Sequence, residues 1–223
     1  AEALAESLVR TGTAMGKRIV SVITDMTEPL GNKVGNFLEV EESLDCLEDS
    51  GPDDLMEVTY RLGGWMLVAA GVARDVEQGI EACRKAIGSS RALELFMANV
   101  RSQGGDVDRL LALRGTYRSA HCLELRAPRS GYVTGIDAYK IGLAGVYLGV
   151  GRDTAADPVY PDVGFIFDKK VGAAVAVGDR ICSVFGKDAA SLAVARPLID
   201  SALTYGPAKP PLRPLVLKEI SAL

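Results

Sequence analysis

The sequence predicts an α/β protein whose character changes once along its length. A short β-branched run, Ile19 to Ile23, sits between two segments of helical periodicity. From Gly35 to Leu113 apolar residues recur at helical spacing, with acids and bases between them. Beyond Gly115 the chain turns to short strand-like runs separated by glycine turns.

Each element has a local reason. Residues 2 to 15 carry Leu4, Leu8, Val9 and Met15 at amphipathic spacing, and Gly16 is a natural stop. A strand over 18–24 follows, entered through Lys17-Arg18. Its short apolar run is that of a buried strand in a parallel sheet. The run ends at Thr24-Asp25. Ligand sites of open α/β sheets lie beyond the carboxyl ends of strands, so Asp25 to Asn36 is the place to look for function. A helix begun near Gly35 continues through Glu39 to Leu47. Asp49-Ser50-Gly51-Pro52 is a turn, with Pro52 suited to the first helical position. Leu55 to Ala70 reads as a buried helix carrying the only tryptophan, Trp65.

Asp75 to Ile87 sets Val76, Ile80, Cys83 and Ile87 on one helix face. Ser89-Ser90 can cap a helix over Arg91 to Arg101, which Gly104-Gly105 ends, and residues 106–113 form a short helix. In the later part, Leu123–Arg126, Tyr132–Asp137, Val163–Asp168 and Ile181–Phe185 are strands. Ala138–Leu148 and Ala189–Tyr205 are helices, and the tail PAKPPLRP runs extended along the surface. There is no internal repeat.

Composition narrows the function. The 223 residues are 48 % apolar and carry a formal net charge of −4, with no basic run, which argues against nucleic acid as a partner. No apolar stretch reaches the roughly 18 residues a membrane span needs. The longest candidate, Leu62 to Val72, is interrupted by Gly63-Gly64. The opening AEALAESLVR is an acid-bearing amphipathic helix rather than a signal peptide. Cys46, Cys83, Cys122 and Cys182 have no C-x-x-C spacing, so a zinc site is disfavoured and reduced thiols in a cytoplasmic protein are expected.

The segment Thr24-Asp25-Met26, Pro29-Leu30-Gly31, Gly35-Asn36, Leu38-Glu39-Val40 and Glu42 resembles a loop-and-helix motif of the thymidine/pyrimidine nucleoside phosphorylase family. Later pieces match the same family in order. They are Gly131-Tyr132-Val133, Ile136-Asp137, Ile141-Gly142, Leu148-Gly149-Val150-Gly151-Arg152, Val163-Gly164, Lys169-Lys170-Val171-Gly172 and Gly178 before an apolar strand. The chain departs from the family at Gly172-Ala173, where Gly-Asp is frequent, and at Pro161.

The resemblance implies the carboxyl-terminal half of such an enzyme. Residues 1–115 would be part of a mixed-sheet α/β domain. Residues 116–188 would be a small β-rich α+β carboxyl-terminal domain, and 189–223 a helix and proline-rich tail. The implied reaction is thymidine plus phosphate giving thymine and 2-deoxyribose 1-phosphate, a pentosyl transfer with phosphate as co-substrate. The family's phosphate loop, catalytic histidine and base-holding lysine lie before the point where this chain begins. No catalytic residue is therefore assigned, and the chain alone is expected to be inactive. Homodimerisation and a pyrimidine nucleoside partner are implied by the family; nucleic acid and membrane are not. The alternative is a shortened non-catalytic paralogue acting as a binding or scaffold module.

The resemblance also implies site residues. The Leu30 and Lys33 carbonyls and the Glu42 carboxylate would hold a monovalent cation, potassium, since hard cations take oxygen ligands. Lys33 stands where a small residue is usual, and its charge could weaken the site. The competing reading makes Glu39, Glu41 and Glu42 a solvated helix face. Val9 is a wall of the base pocket or plain core. Asp25 is a substrate group or the loop's anchor. Gly149-Val150-Gly151-Arg152 reads better as a turn than as a phosphate cradle. His121 beside Cys122 reads as a linker histidine, and Lys169-Lys170 only weakly suggests a carrier lysine.

Overall fold

The computed structural model of the protein describes residues 1–152 and 154–221. The chain forms two compact units, each assembled from separated segments. One comprises Ala1–Asp25, Cys46–Asn99 and Arg213–Leu223, the other Met26–Asp45 and Val100–Leu212. The units therefore do not follow the division of the sequence at 115 and 188. Strand pairing between distant segments is the reason, as each unit shows.

In the first unit, helix α1 (Glu2–Ala14) buries Ala5, Val9 and Gly12, spaced as one helix face. Strand β1 (Val20–Thr24) pairs antiparallel with β9 (Val216–Ser221), Val20 facing Ser221. The buried parallel strand expected at 18–24 is thus a half-buried strand in a two-stranded antiparallel sheet. Its composition is compatible with either orientation, and direction is set by the path of the chain rather than by side chains. Among the described residues every strand pairing is antiparallel.

Helices α3 (Asp53–Ala69) and α4 (Val76–Gly88) complete this unit's core. They touch through glycines: a Cβ at Gly79 would lie 2.5 Å from the Gly64 carbonyl oxygen. Pro52 is the residue just before α3, one position earlier than expected. Asp75 caps α4 by accepting the Gln78 N–H. Trp65 donates its indole N–H to Glu219, which also pairs with Arg61, fastening α3 to β9.

The second unit holds two sheets. Strands β2 (Lys33–Val34), β5 (Gly164–Phe167), β7 (Arg180–Gly186) and β3 (His121–Arg126) form one, in that order. Strands β6 (Ala174–Val175), β4 (Gly131–Ile136) and β8 (Leu203–Gly206) form the other. Helices α7 (Ala138–Leu148) and α8 (Ala189–Ala202) pack on one another. The core gathers Val133, Ile136, Ile141, Leu148, Phe165, Ile181, Val184 and Ile199. Helix α2 (Asn36–Leu47) begins in this unit. Helix α6 (Val107–Leu113) lies within it, and α5 (Arg91–Ser102) leads into it.

The helix expected over 189–205 stops at Ala202, and Leu203–Gly206 pairs with β4 instead. Leu-Thr-Tyr suits a strand, and an available sheet edge decides the local preference. The α/β class itself holds, with a helix-rich unit and a β-rich carboxyl-terminal part. No helix among the described residues is long and apolar enough to cross a membrane.

Candidate functional site

The loop after residue 25, β2 and the start of α2 form one polar assembly in the second unit. Glu42 is its centre. Its Oε1 accepts the N–H groups of Asn32 at 2.8 Å and Lys33 at 3.1 Å. The side chain is buried, with Glu42 only 3 % exposed. Two backbone donors on one carboxylate oxygen satisfy amides that the bend would otherwise leave unpaired. Gly31 makes the approach possible: its φ is +72°, and a Cβ there would lie 2.2 Å from Glu42 Oε2.

The Lys33 side chain turns to Asp45, 2.7 Å away, with Glu41 at 3.9 Å. Its charge is therefore neutralised along α2. Asp45 also accepts from Arg114 at 2.6 Å. Burial opposes ionisation of Asp45, but the Lys33 and Arg114 hydrogen bonds outweigh it and hold the carboxyl below its ordinary value.

The β2 end of the loop joins the sheet: the Phe167 N–H donates to the Asn32 carbonyl, and Lys33 faces Ile166. Leu30 lies in the bend between Pro29 and Gly31. Hard monovalent cations take oxygen donors, and here Glu42 supplies a buried carboxylate whose Oε1 is engaged by two amides. Among the described residues no group of three His, Cys, Asp or Glu side chains is gathered for a metal.

On the acceptor side of the loop stands Lys170. Its ammonium donates to the Pro29 carbonyl and to the Gly31 carbonyl, the latter at 2.6 Å. The neighbouring Val171 N–H reaches Glu28 at 3.4 Å. A carrier lysine projects from a free hairpin; Lys170 is tied to the loop, which removes that reading for it.

The solvated-face reading of α2 fails at Glu41 and Glu42. Glu41, 1 % exposed, accepts from the Gly115 N–H at 2.7 Å and from both terminal nitrogens of Arg118. Phe37 meets Tyr117 edge to face, with centroids 5.1 Å apart, beside this pair. Only Glu39 of the three is exposed, and it accepts the Gly35 N–H. Sequence reasoning missed Glu41 and Arg118, although a signal existed. Leu38, Glu41, Glu42 and Asp45 recur at i, i+3, i+4 and i+7, the spacing of an inward face.

The other candidates lie elsewhere. Val9 is 5 % exposed on the inner face of α1, in the first unit, whereas Leu30, Lys33 and Glu42 belong to the second. Asp25 ends the first segment of its unit, its N–H on the Leu215 carbonyl. Gly149 closes α7 in the left-handed conformation. The glycine turn that follows thus stands at the negative end of a helix, the wrong end for phosphate. His121 and Cys122 are consecutive on β3 and so point to opposite faces of the sheet. Partial burial, with Glu124 adding to it, pushes the Cys122 thiol up, which disfavours a nucleophile. All four cysteines are free thiols.

Comparison with known proteins places the chain in a family. Residues 132–206 match the family model described as the pyrimidine nucleoside phosphorylase C-terminal domain. Proteins named pyrimidine-nucleoside phosphorylase from Staphylococcus aureus strains USA300, NCTC 8325 and COL are each 37 % identical over 184 residues. That alignment covers 82 % of this chain and 42 % of each relative. The chain thus spans less than half the length of the curated relatives it matches.

Proposed function

Because the chain belongs to the pyrimidine nucleoside phosphorylase family, we propose that it is the carboxyl-terminal part of an enzyme exchanging phosphate for the base of a pyrimidine nucleoside. The specific reaction proposed is thymidine plus phosphate giving thymine and 2-deoxyribose 1-phosphate, in the cytoplasm and as a homodimer. The observation that carries the reading is the Glu42-centred loop, which sits on the residues of the family motif and is built from buried polar groups. Buried charge of this kind is held at a cost and marks a place where geometry matters.

Potassium is proposed at the Leu30 and Lys33 carbonyls with the Glu42 carboxylate. When bound, it would supply a fixed positive charge that rigidifies the loop. The chain's own part is positional. Glu42 aligns two amides, Gly31 admits the carboxylate, and Asp45 draws the Lys33 ammonium away from the carbonyls. Orientation of this sort is a large share of what such catalysis needs. Val9 is proposed as support for the base-pocket wall, acting through the packing of α1.

The test is thymidine phosphorolysis, read as thymine release with phosphate. The chain alone is compared with the chain supplied with the amino-terminal portion of a relative. Turnover only in the second case is the expected result. Absence of turnover in both, with both folded, overturns the enzymatic reading.

A second reading, a non-catalytic binding or scaffold module, is favoured by one observation. Leu4, Leu8 and Met15 of the α1 segment are 65 %, 56 % and 70 % exposed. An apolar stripe of that kind seeks a cover. Concentration-dependent self-association without turnover in either form would support it.

A further inference from the structure

We propose that Lys170 is the resident monovalent cation of the loop. Its tethered ammonium occupies the Pro29 and Gly31 carbonyls in the way a free ion would. The proposal concerns a different pair of carbonyls from the Leu30 and Lys33 set and does not rest on that reading or on turnover.

The loop's polar groups are sorted by sign. Its N–H groups at Asn32 and Lys33 go to an anion, Glu42, and its carbonyls at Pro29 and Gly31 go to a cation, Lys170. Two carbonyls separated by one residue converge on a single nitrogen. Such convergence sets two partial negative charges side by side, which is unfavourable without a positive charge between them. A lysine ammonium offers three donors and no acceptor on a compact charge, the closest a side chain comes to a bare monovalent ion. Guanidinium, planar and forked, does not have that shape.

The tether is rigid at its root. Asp168 and Lys169 both donate their N–H groups to the Ile181 carbonyl, and the Ala173 N–H donates to the Lys170 carbonyl. Gly172 donates to the Val133 carbonyl one strand away. The backbone on either side of Lys170 is thus fixed to both sheets of its unit, so the ammonium is delivered to the loop by the scaffold. A side chain half-buried and held at both ends loses little further entropy on making these bonds.

Native-state hydrogen exchange on the whole chain reads the loop through the Asn32 and Lys33 amides. Lys170→Ala is expected to speed exchange of those two amides by about tenfold or more, as loss of two charge-assisted hydrogen bonds implies. Amides of β7 should be unchanged. Methylammonium, which carries the ammonium head that the variant lacks, is expected to reverse most of that rise in the variant and to leave the natural chain unmoved. Exchange as in the natural chain, or a rise that methylammonium does not reverse, overturns the proposal. Should Lys170→Ala not fold, Lys170→Gln keeps most of the stem and a neutral donor. A rise of about fivefold or more there supports the proposal, and exchange within about twofold of the natural chain overturns it. A potassium response of the natural chain that Glu42→Gln abolishes belongs to the other carbonyl set, so failure of that reading is separable from failure of this one.

Discussion

Glu42 and Lys170 hold the same short stretch of backbone by opposite groups, the carboxylate taking the amides of Asn32 and Lys33 and the ammonium taking the carbonyls of Pro29 and Gly31. The two residues come from parts of the chain far apart in sequence, and the loop between them has no regular hydrogen-bond ladder of its own until β2 begins.

Removing the carboxylate should therefore be felt as lost backbone satisfaction. Glu42→Ala leaves two amides without their acceptor and is expected to destabilise the second unit by about 2–4 kcal/mol. Glu42→Gln keeps an acceptor oxygen and should cost about 1–2 kcal/mol. Urea unfolding monitored through the second unit ranks the two, and equal losses would show that the amides do not depend on Glu42.

Gly31 and Gly178 make a matched comparison. Both have left-handed φ, +72° and +87°, but only at Gly31 does a Cβ meet another group, Glu42. Gly178→Ala should cost only the backbone term, about 1–2 kcal/mol. Gly31→Ala should exceed it by at least about 1 kcal/mol, because the carboxylate must move off the amides as well. Thermal unfolding of the two variants measures the difference.

The Glu41–Arg118 pair is buried at the carboxylate and largely covered at the guanidinium, so half of it is worse than none. Arg118→Met is expected to cost about 3 kcal/mol by leaving buried Glu41 with only the Gly115 N–H and the more distant Lys33 ammonium. Adding Glu41→Gln should recover part of that loss rather than add to it. A double-mutant cycle by denaturant unfolding would show a coupling energy, and simple additivity would mean the pair does not act as one.

Acid should loosen the same region. The folded-state value of Asp45 lies below its unfolded one, so its stabilisation is full above about 3.8 and is lost as pH falls through the lower, folded-state value. Stability is expected to drop below about pH 4, and Asp45→Asn to flatten that limb while leaving neutral pH behaviour sloped as before. Urea midpoints taken from pH 6 down to pH 3 give the comparison; an Asn variant with an unchanged acid limb would remove Asp45 from the account.

Much of the fold was legible because its elements are long or well punctuated. Helices α1, α3, α4 and α7 and strands β3, β4, β5 and β7 carry periodicity or flanking turn residues that fix them within a residue or two. Strands β2 and β6 span two residues each, too few for any pattern, and exist because a partner edge is present. The orientation of β1 was equally out of reach, since its side chains are compatible with either direction. In the site, the motif around Glu42 pointed to the right loop, but the acidic run was read by composition alone. Charges at core spacing on α2 meant an inward polar face, and two of the partners that make it tolerable, Arg114 and Arg118, come from a segment no local reading connects to it.

The pairing of β1 with β9 carries a consequence for how the chain is made. Val20 leaves the ribosome long before its partner, Ser221. During synthesis the first strand must wait, its edge open, while the whole second unit emerges and has the chance to fold. The first unit is closed only when synthesis has brought out the strand that seals it, so any release or cut that removes residues 216–221 also strips β1 of its partner and leaves that edge exposed.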